Sequence, residues 1–192
     1  MVVAGTDRAI DLLRTAVIAR EAGDPLDTYY AWTREWMTFP NGAHVVEVEV
    51  HADTGEVTLA RYTAVDDYGV MVNPMVAAGQ AHGAIAQGAG QALLERAHYD
   101  PDSGQLLAGS FMDYPLPRAD DLVAFELGFN PTRCTTNPLG VKGCGEAGMV
   151  GAFPAITSAI LDAMTPLGIG ESEGPATAYR VWRATSSSAK RG

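Results

Sequence analysis

One carboxylate, Glu146, lies inside a loop that is dense in glycine. The segment from Asn137 to Met164 reads NPLGVKGCGEAGMVGAFPAITSAILDAM, and an apolar, helix-forming run follows the loop directly. Glycine has no Cβ, so its backbone bends sharply and comes close to a ligand. The unpaired N–H groups at the start of the following helix suit a phosphate or another anion. Glu146 is therefore placed for proton transfer at a bound ligand. The alternative is a glutamate that caps a helix in an ordinary loop.

A second segment of possible chemistry is rich in glutamine and glycine. It reads GQAHGAIAQGAGQALLE from Gly79 to Glu95, inside a long helix predicted over 76–97. Each glycine inside a helix is unfavourable by about 1 kcal/mol relative to alanine, so close approach of another backbone or a ligand would have to offset it. The amide of Gln87 donates and accepts hydrogen bonds at once, which suits a ligand contact. The alternative is that Gln87, Gln80 and Gln91 are polar surface positions.

Composition and charge narrow the classes of function. The formal net charge is −10 with a pI near 4.7, and no basic stripe offers a nucleic-acid groove. Cys134 and Cys144 form no CxxC pair, so reduced thiols are the default. The four histidines lack HExxH or comparable spacing, which predicts no protein-built metal site. The uncharged stretch 147–161 is shorter than the roughly 18 apolar residues of a membrane span, and no secretory signal is evident. We therefore expect a cytoplasmic protein.

The elements that must position these residues form a predicted α/β (mixed α+β) fold, with helices packed on a small mixed sheet. Alternating residues over His44–Val50 and Glu56–Val65, joined by the turn residues Asp53-Thr54-Gly55, predict a β-hairpin. A third strand is expected over Leu122–Phe129. Pro154 suits a first helical turn, so the helix after the glycine loop is predicted to begin near Phe153. The other helices are predicted over 6–22, 76–97 and 175–184.

The predicted organisation has three parts. Residues 1–40 form an amino-terminal helix and an aromatic connector, 41–184 the main domain, and 185–192 a disordered tail. The adjacent carboxylates Asp66 and Asp67 are interpreted as strand-ending residues that bond to local backbone, without a chemical role.

Four blocks of the sequence together resemble one enzyme family. They occur in the family's order and cover roughly residues 40–183: DDYGVMVNP (66–74), GQAHGAIAQGAGQALLE (79–95), SFMDYPLPRADDL (110–122) and NPLGVKGCGEAG (137–148). They resemble the molybdopterin-binding large subunit of the molybdenum hydroxylases, the group of xanthine dehydrogenase, aldehyde oxidase and aerobic carbon monoxide dehydrogenase. The resemblance implies part of that subunit's second molybdopterin-binding domain.

The resemblance also implies roles for individual residues. Glu146 matches the general base of the family's KGxGE motif, which takes a proton from a hydroxyl on molybdenum. Gln87 and Gly88 would lie against the pterin. A cradle of backbone N–H groups would hold the pterin or a phosphate at Lys142, Gly143, Cys144 and Gly145. No protein ligand to the metal is implied, because the pterin's dithiolene sulfurs hold it.

The implied cofactor is molybdenum-molybdopterin in its cytosine dinucleotide form, with 2Fe-2S and FAD on partner subunits. The implied partners are the remaining N-terminal part of the large subunit, an iron–sulfur subunit and an FAD subunit. The substrate would be a small molecule, namely an aldehyde, a heteroaromatic ring or carbon monoxide, oxidised with water as the oxygen source.

The resembled subunit is several times longer than this chain, which leaves three interpretations. In the first, which we prefer, the chain is the C-terminal part of a molybdenum hydroxylase and is active only when joined to the missing segment. In the second, it is an inactive remnant. In the third, it is a non-enzymatic nucleotide- or partner-binding module that reuses the glycine loop.

Within the region that resembles the family, the sequence departs only mildly from the family's pattern: His51 replaces an acidic residue, and Ala84 replaces a glycine. We expect the uncovered apolar face to cause self-association.

Overall fold

The computed structural model describes residues 2, 4–33, 35–171 and 173–189. The chain divides into two compact units, 1–35 and 36–192, so the predicted boundary after residue 40 falls inside the second unit. The first unit holds helix α1 (Leu12–Glu21). The second holds strands β1 (Asn41–Val50), β2 (Val57–Asp67) and β3 (Phe125–Phe129), and helices α2 (Pro74–Leu93), α3 (Ala147–Met164) and α4 (Ala178–Ala189).

Helix α1 is shorter than the predicted helix over 6–22. It begins after Asp11, whose carboxylate accepts hydrogen bonds from the backbone amides of Leu13 at 2.8 Å and Arg14 at 3.2 Å. An aspartate at this position satisfies helix amides that otherwise lack a partner, which is why the helix starts there. No residue of α1 is buried.

The sheet is mixed, with strand order β1-β2-β3. The predicted hairpin is confirmed: β1 and β2 pair antiparallel, from Asn41 opposite Asp67 to Val50 opposite Val57. Gly55 in the turn has φ +74°, a left-handed conformation that glycine adopts without a steric penalty. Strand β3 starts at Phe125, later than predicted, and pairs parallel with β2. The parallel pairing places α2 in the connection between β2 and β3.

Helices α2 and α3 pack on each other, and α3 also packs on β1. Helix α2 begins at Pro74 behind the capping side chain of Asn73 and ends at Leu93, before the predicted end at residue 97. The core joins one face of the sheet to both helices and to α4. Its largest fully buried side chains include Tyr62, Ile85, Ile156, Ile160, Met164 and Val181.

The predicted start of α3 near Phe153 is wrong. The helix begins at Ala147 and carries Pro154 in its interior. A proline there removes one helix hydrogen bond and disfavours the helix by about 3 kcal/mol. The helix nonetheless continues, because burial of Ala152, Ile156 and Ile160 on either side of Pro154 offsets that penalty. The first turn of α3 therefore follows Glu146 immediately.

The carboxyl-terminal helix also differs from prediction. Helix α4 spans Ala178–Ala189, so the chain from 185 to 189 is helical and not disordered as predicted. Thr185 is buried, and its hydroxyl donates to the carbonyl of Ala52 at 2.9 Å. This contact anchors the helix to the turn after β1. Residues 190–192 of the predicted tail lie outside the described residues.

One helical stretch among the described residues, Ala147–Leu167, is long and apolar enough to cross a membrane by length and composition alone. Five of its residues are buried against the rest of the protein: Gly148, Ala152, Ile156, Ile160 and Met164. These contacts with α2 and β1 indicate a core helix. A core helix can be as long and as apolar as a membrane-spanning helix.

Candidate functional site

The glycine loop before α3 is fixed to the end of strand β2. The carbonyl of Gly140 accepts hydrogen bonds from the amides of Val70 at 2.9 Å and Cys134 at 3.1 Å. The amide of Lys142 donates to the carbonyl of Tyr68 at 2.9 Å. The two backbones approach so closely that a Cβ at Gly69 would come within 2.5 Å of the Gly140 carbonyl. Glycine at position 69 therefore lets the loop lie against the strand end.

The side chain of Lys142 strengthens this attachment. Its Nζ donates to Asp67 Oδ2 at 2.7 Å and to Thr132 Oγ1 at 2.9 Å, and the side chains of Lys142 and Asp67 are only 10% and 8% exposed. Burial would raise the pKa of the Asp67 carboxyl, but hydrogen bonds from Lys142, Thr132 and the amide of Gly69 hold that pKa well below its usual range. Asp67 is therefore charged at neutral pH.

The predicted cradle of backbone amides is only partly available to a ligand. The Lys142 amide already donates to the Tyr68 carbonyl, and the Gly143 amide donates to Thr38 Oγ1 at 3.3 Å. The predicted cofactor contacts of Lys142 and Gly143 stay predictions. Within the described part of the chain, the amides of Cys144 and Gly145 have no recorded acceptor. The space around the Cα atoms of Gly143 and Gly145 is open. Cys144 and Gly145 thus remain the positions that fit an anionic group.

Glu146 is the N-cap residue of α3, yet its side chain makes no capping hydrogen bond. The interpretation of Glu146 as a helix-capping side chain is therefore wrong. Its carbonyl accepts from the amides of Met149 and Val150, both at 3.1 Å. The residue is exposed, so its carboxylate is free to meet a ligand at the positive end of the helix.

Glu146 also lines the rim of a cavity of about 820 Å³ between β1 and α3. One wall is the edge strand with Gly42, His44 and Val46. The other is the face of α3 that carries Val150, Gly151, Pro154, Ala155, Ser158, Ala159 and Asp162. Most of this lining is apolar, and His44 and Asp66 supply polar groups.

Sequence reasoning missed a buried polar network beside this cavity. His44 Nδ1 lies 2.6 Å from Tyr62 Oη, His44 Nε2 lies 3.2 Å from Asp66 Oδ1, and the Tyr68 hydroxyl donates to Asp66 Oδ2 at 2.7 Å. The signal was present in the alternation, because His44 continues the inward-facing positions Val46, Val48 and Val50 of β1. A polar residue in phase with a core face needs a partner.

The ionisation of both tyrosines follows from this setting. Burial and the Asp66 charge raise the pKa of Tyr62 well above its usual range. Burial and the hydrogen bond to Asp66 do the same for Tyr68. Both phenols therefore keep their protons, and the Tyr68 hydroxyl donates to Asp66.

Helix α2 presents the second set of predicted residues. Gln87 is exposed, as are Gln80 and Gln91, and the helical repeat of 3.6 residues puts the three on one face. Gly88 is buried against α3, where an added Cβ would lie 2.6 Å from Ala152 Cβ and 3.1 Å from the Met149 carbonyl. Close backbone approach thus explains Gly88. The predicted cofactor contacts of Gln87 and Gly88 stay predictions.

Metal-ligating side chains do not gather in the described ranges, where no three His, Cys, Asp or Glu residues could hold one ion together. The polar groups that the glycine loop offers are instead the amides of Cys144 and Gly145 and the Glu146 carboxylate.

Comparison with known proteins identifies the class to which this loop and fold belong. Residues 4–123 match the family model of the molybdopterin cofactor-binding domain. The nicotine 6-hydroxylase large subunit of Paenarthrobacter nicotinovorans is 39% identical over 155 residues, which is 81% of this chain and 19% of that protein. The carbon monoxide dehydrogenase large chain of Hydrogenophaga pseudoflava is 36% identical over 146 residues, 76% of this chain and 18% of that protein.

The solved structures that resemble this chain indicate the same class of protein. The Cu,Mo CO dehydrogenase in its carbon monoxide reduced state has a TM-score of 0.79 at 33% identity, covering 82% of this chain and 20% of that chain. Quinoline 2-oxidoreductase from Pseudomonas putida 86 has a TM-score of 0.74 at 37% identity, covering 77% and 19%. The chain therefore belongs to the molybdopterin cofactor-binding domain family of molybdenum hydroxylase large subunits. It spans about a fifth of the length of the relatives that it matches.

Proposed function

We propose that the chain forms the C-terminal part of the large subunit of a molybdenum hydroxylase and supplies Glu146 as the general base. The observation that carries the proposal is the position of Glu146 itself. Its carboxylate is uncapped and exposed at the start of α3, directly after the open amides of Cys144 and Gly145. A base must reach its proton without a competing partner, and Glu146 meets that requirement.

The residues of the loop fit the cofactor that the family binds. When bound, molybdenum-molybdopterin supplies the two-electron oxidation chemistry. The amides of Cys144 and Gly145, with the first amides of α3, would donate to an anionic part of the cofactor, and the amide of Gln87 would bond to the pterin. A carboxylate oxygen of Glu146 would take the proton released as a water-derived oxygen attacks the substrate carbon. The fixed attachment of Lys142 to Asp67 would hold the loop in place.

The same proposal extends to the rest of the assembly. The relatives are described as large subunits or chains, and one as a subunit of a dehydrogenase complex. For this chain we propose the remaining large-subunit segment, an iron–sulfur subunit with 2Fe-2S and an FAD subunit as partners. We propose the cytosine dinucleotide form of the cofactor, and an aldehyde, a heteroaromatic compound or carbon monoxide as substrate.

Substitution of Glu146 by Gln tests the catalytic assignment. The chain is co-expressed with the complementary large-subunit segment and the two smaller subunits, and molybdenum and turnover are measured on the purified complex. We expect Glu146→Gln to retain molybdenum and to lose at least about a hundredfold in kcat, since general base catalysis contributes 10²–10⁴-fold. Asp162→Asn removes another carboxylate of the same cavity and should leave both the molybdenum content and kcat unchanged.

Other outcomes would contradict the proposal at different points. Loss of molybdenum together with turnover in Glu146→Gln would give Glu146 a structural role. A wild-type complex without molybdenum would contradict the proposed function and favour a remnant or a reused binding module. The chain alone, measured by elemental analysis and pterin fluorescence, should hold far less molybdenum than the complex.

A further inference from the structure

The polar network beside the cavity is the largest group of buried titratable side chains that the proposed function leaves unused. The side chains of His44 and Asp66 are only 5% and 3% exposed, and Tyr62 and Tyr68 are fully buried. Burial of four polar side chains is unfavourable unless each is hydrogen-bonded. Every one of them has a partner here.

These hydrogen bonds hold the imidazole at both of its ring nitrogens. His44 Nδ1 lies 2.6 Å from the Tyr62 hydroxyl. Asp66 Oδ1 lies 3.2 Å from His44 Nε2, and because a carboxylate oxygen accepts, Nε2 carries the hydrogen of this bond. The Tyr68 hydroxyl donates to the other oxygen of Asp66, Oδ2. The network therefore fixes the orientation of the ring.

The imidazole also lies directly against α3. A Cβ at Gly151 would come within 2.6–2.8 Å of three ring atoms of His44, namely Cε1, Nδ1 and Nε2. Only a glycine leaves room for the ring there. Gly151 follows the N-cap Glu146 by roughly 7 Å along the helix, at ~1.5 Å per residue. The ring thus packs on the second turn of the helix whose first turn carries the candidate base.

We propose that His44 is a positioning residue for Glu146: the imidazole, oriented by Tyr62 and Asp66, seats the first turns of α3 on strand β1. The part of this inference that concerns Glu146 rests on the proposed function, whereas the seating of α3 stands on the contacts of this chain alone. His44 acts on Glu146 through the helix, which it contacts at Gly151.

A double-substitution cycle on the full 192-residue chain tests the seating. With His44 present, Gly151→Ala should lower Tm by roughly 5 °C, because the added methyl overpacks against the ring. With His44→Ala, the same methyl enters vacated space, and the higher helix propensity of alanine should leave Tm unchanged or raise it by about 2–3 °C. Equal shifts in both backgrounds would overturn the proposal.

Imidazole ¹⁵N resonances of the wild-type chain give a signature that packing alone would not produce. We expect His44 Nε2 to carry a hydrogen, because it faces the carboxylate of Asp66, and we expect a mixture of tautomers for the exposed His51. A His44 Nε2 without a hydrogen would contradict the assigned network.

The effect on Glu146 is measured in the molybdenum-loaded complex. His44→Ala should lower kcat about tenfold with unchanged molybdenum content, and His44→Gln, which restores a donor toward Asp66, should recover part of that loss. His51→Ala is the control and should match wild type. Unchanged kcat in His44→Ala would overturn the positioning role. A wild-type complex without molybdenum would contradict the proposed function, and the cycle on the chain alone would still decide whether His44 seats α3.

Discussion

Two neighbouring carboxylates, Asp66 and Asp67, hold the candidate site from opposite sides of strand β2. Successive side chains of a strand point to opposite faces. Asp66 therefore accepts from His44 and Tyr68 beside α3, and Asp67 accepts from Lys142 and binds the glycine loop. The pair was interpreted as strand-ending residues. That holds in part for Asp67, which accepts from the nearby Gly69 amide at 2.8 Å, but both carboxylates also make long-range contacts.

Replacing one member of the Asp67–Lys142 pair should lower the free energy of unfolding more than replacing both. Lys142→Met leaves the buried carboxylate without its cation, and we expect a loss of roughly 3 kcal/mol in the free energy of unfolding. The double variant Asp67→Asn, Lys142→Met should be more stable than Lys142→Met alone. Urea unfolding of the four chains measures both values, and additive losses would contradict a coupled pair.

The same pair should make stability depend on pH in one direction. The folded-state pKa of Asp67 is held below its usual range, so its contribution is complete above the unfolded-state pKa of about 4 and decreases as pH falls below it. The difference in unfolding free energy between wild type and Asp67→Asn should be constant from pH 5 to 7 and shrink below pH 4. Urea titrations across this range test it, and a difference independent of pH would contradict the assignment.

At the scale of elements, small residues set how closely α2 and α3 approach. Gly88 on α2 lies against Ala152 of α3. A Cβ added at Gly148 of α3 would lie 3.0 Å from both the Ala81 carbonyl oxygen and Ala84 Cβ of α2. Glycines that disfavour each helix alone are thus offset by the packing between the two. The first turn of α3 is held by this contact as well as by the loop.

Alanine at Gly88 should destabilise the chain, and alanine at Gly83 should not. A methyl at Gly88 collides with α3 and should reduce the free energy of unfolding by about 1–3 kcal/mol. Gly83 lies on the same helix with open space around it, so alanine there should add about 0.5–1 kcal/mol through helix propensity. Thermal unfolding compares the two variants. Equal effects would mean that the close helix approach is absent.

The success of sequence prediction depended on how far apart the interacting residues are in the chain. The hairpin followed from local alternation and from the turn at Gly55, and both are properties of adjacent residues. The start of α3 was misplaced because Pro154 is a strong local signal, whereas the packing that overrides it comes from α2 and β1. The Lys142–Asp67 and His44–Asp66 contacts join residues 75 and 22 positions apart. The strand alternation indicates that His44 faces the core, but chain separation of this kind leaves no local pattern that identifies the partner residue.

At the scale of the whole molecule, each unit exposes large apolar side chains. Helix α1 exposes Leu12, Leu13, Val17 and Ile18, and the segment after it exposes Tyr29 and Tyr30. In the second unit, Val45 and Val150 are exposed at the cavity. Apolar surface of this extent marks an interaction face, which agrees with a chain that spans only a fifth of its relatives.

The isolated chain should therefore associate with itself as concentration rises. Leu13→Glu, on the exposed face of α1, should reduce association in sedimentation velocity, because it removes apolar surface and adds a negative charge. Arg14→Gln changes the net charge by the same amount without removing an apolar side chain, and should associate like wild type. If both variants dissociate equally, charge and not apolar surface drives the association.

The parallel pairing of β2 with β3 has a consequence for the order in which the protein forms during synthesis. The hairpin and α2 leave the ribosome before the third strand and before α3, which covers the apolar face. Contacts between distant segments form slowly, and the hairpin stays uncovered until residues near Met164 have been translated. Folding of this domain thus waits for α3, and the nascent hairpin remains open to chaperones until that helix has been made.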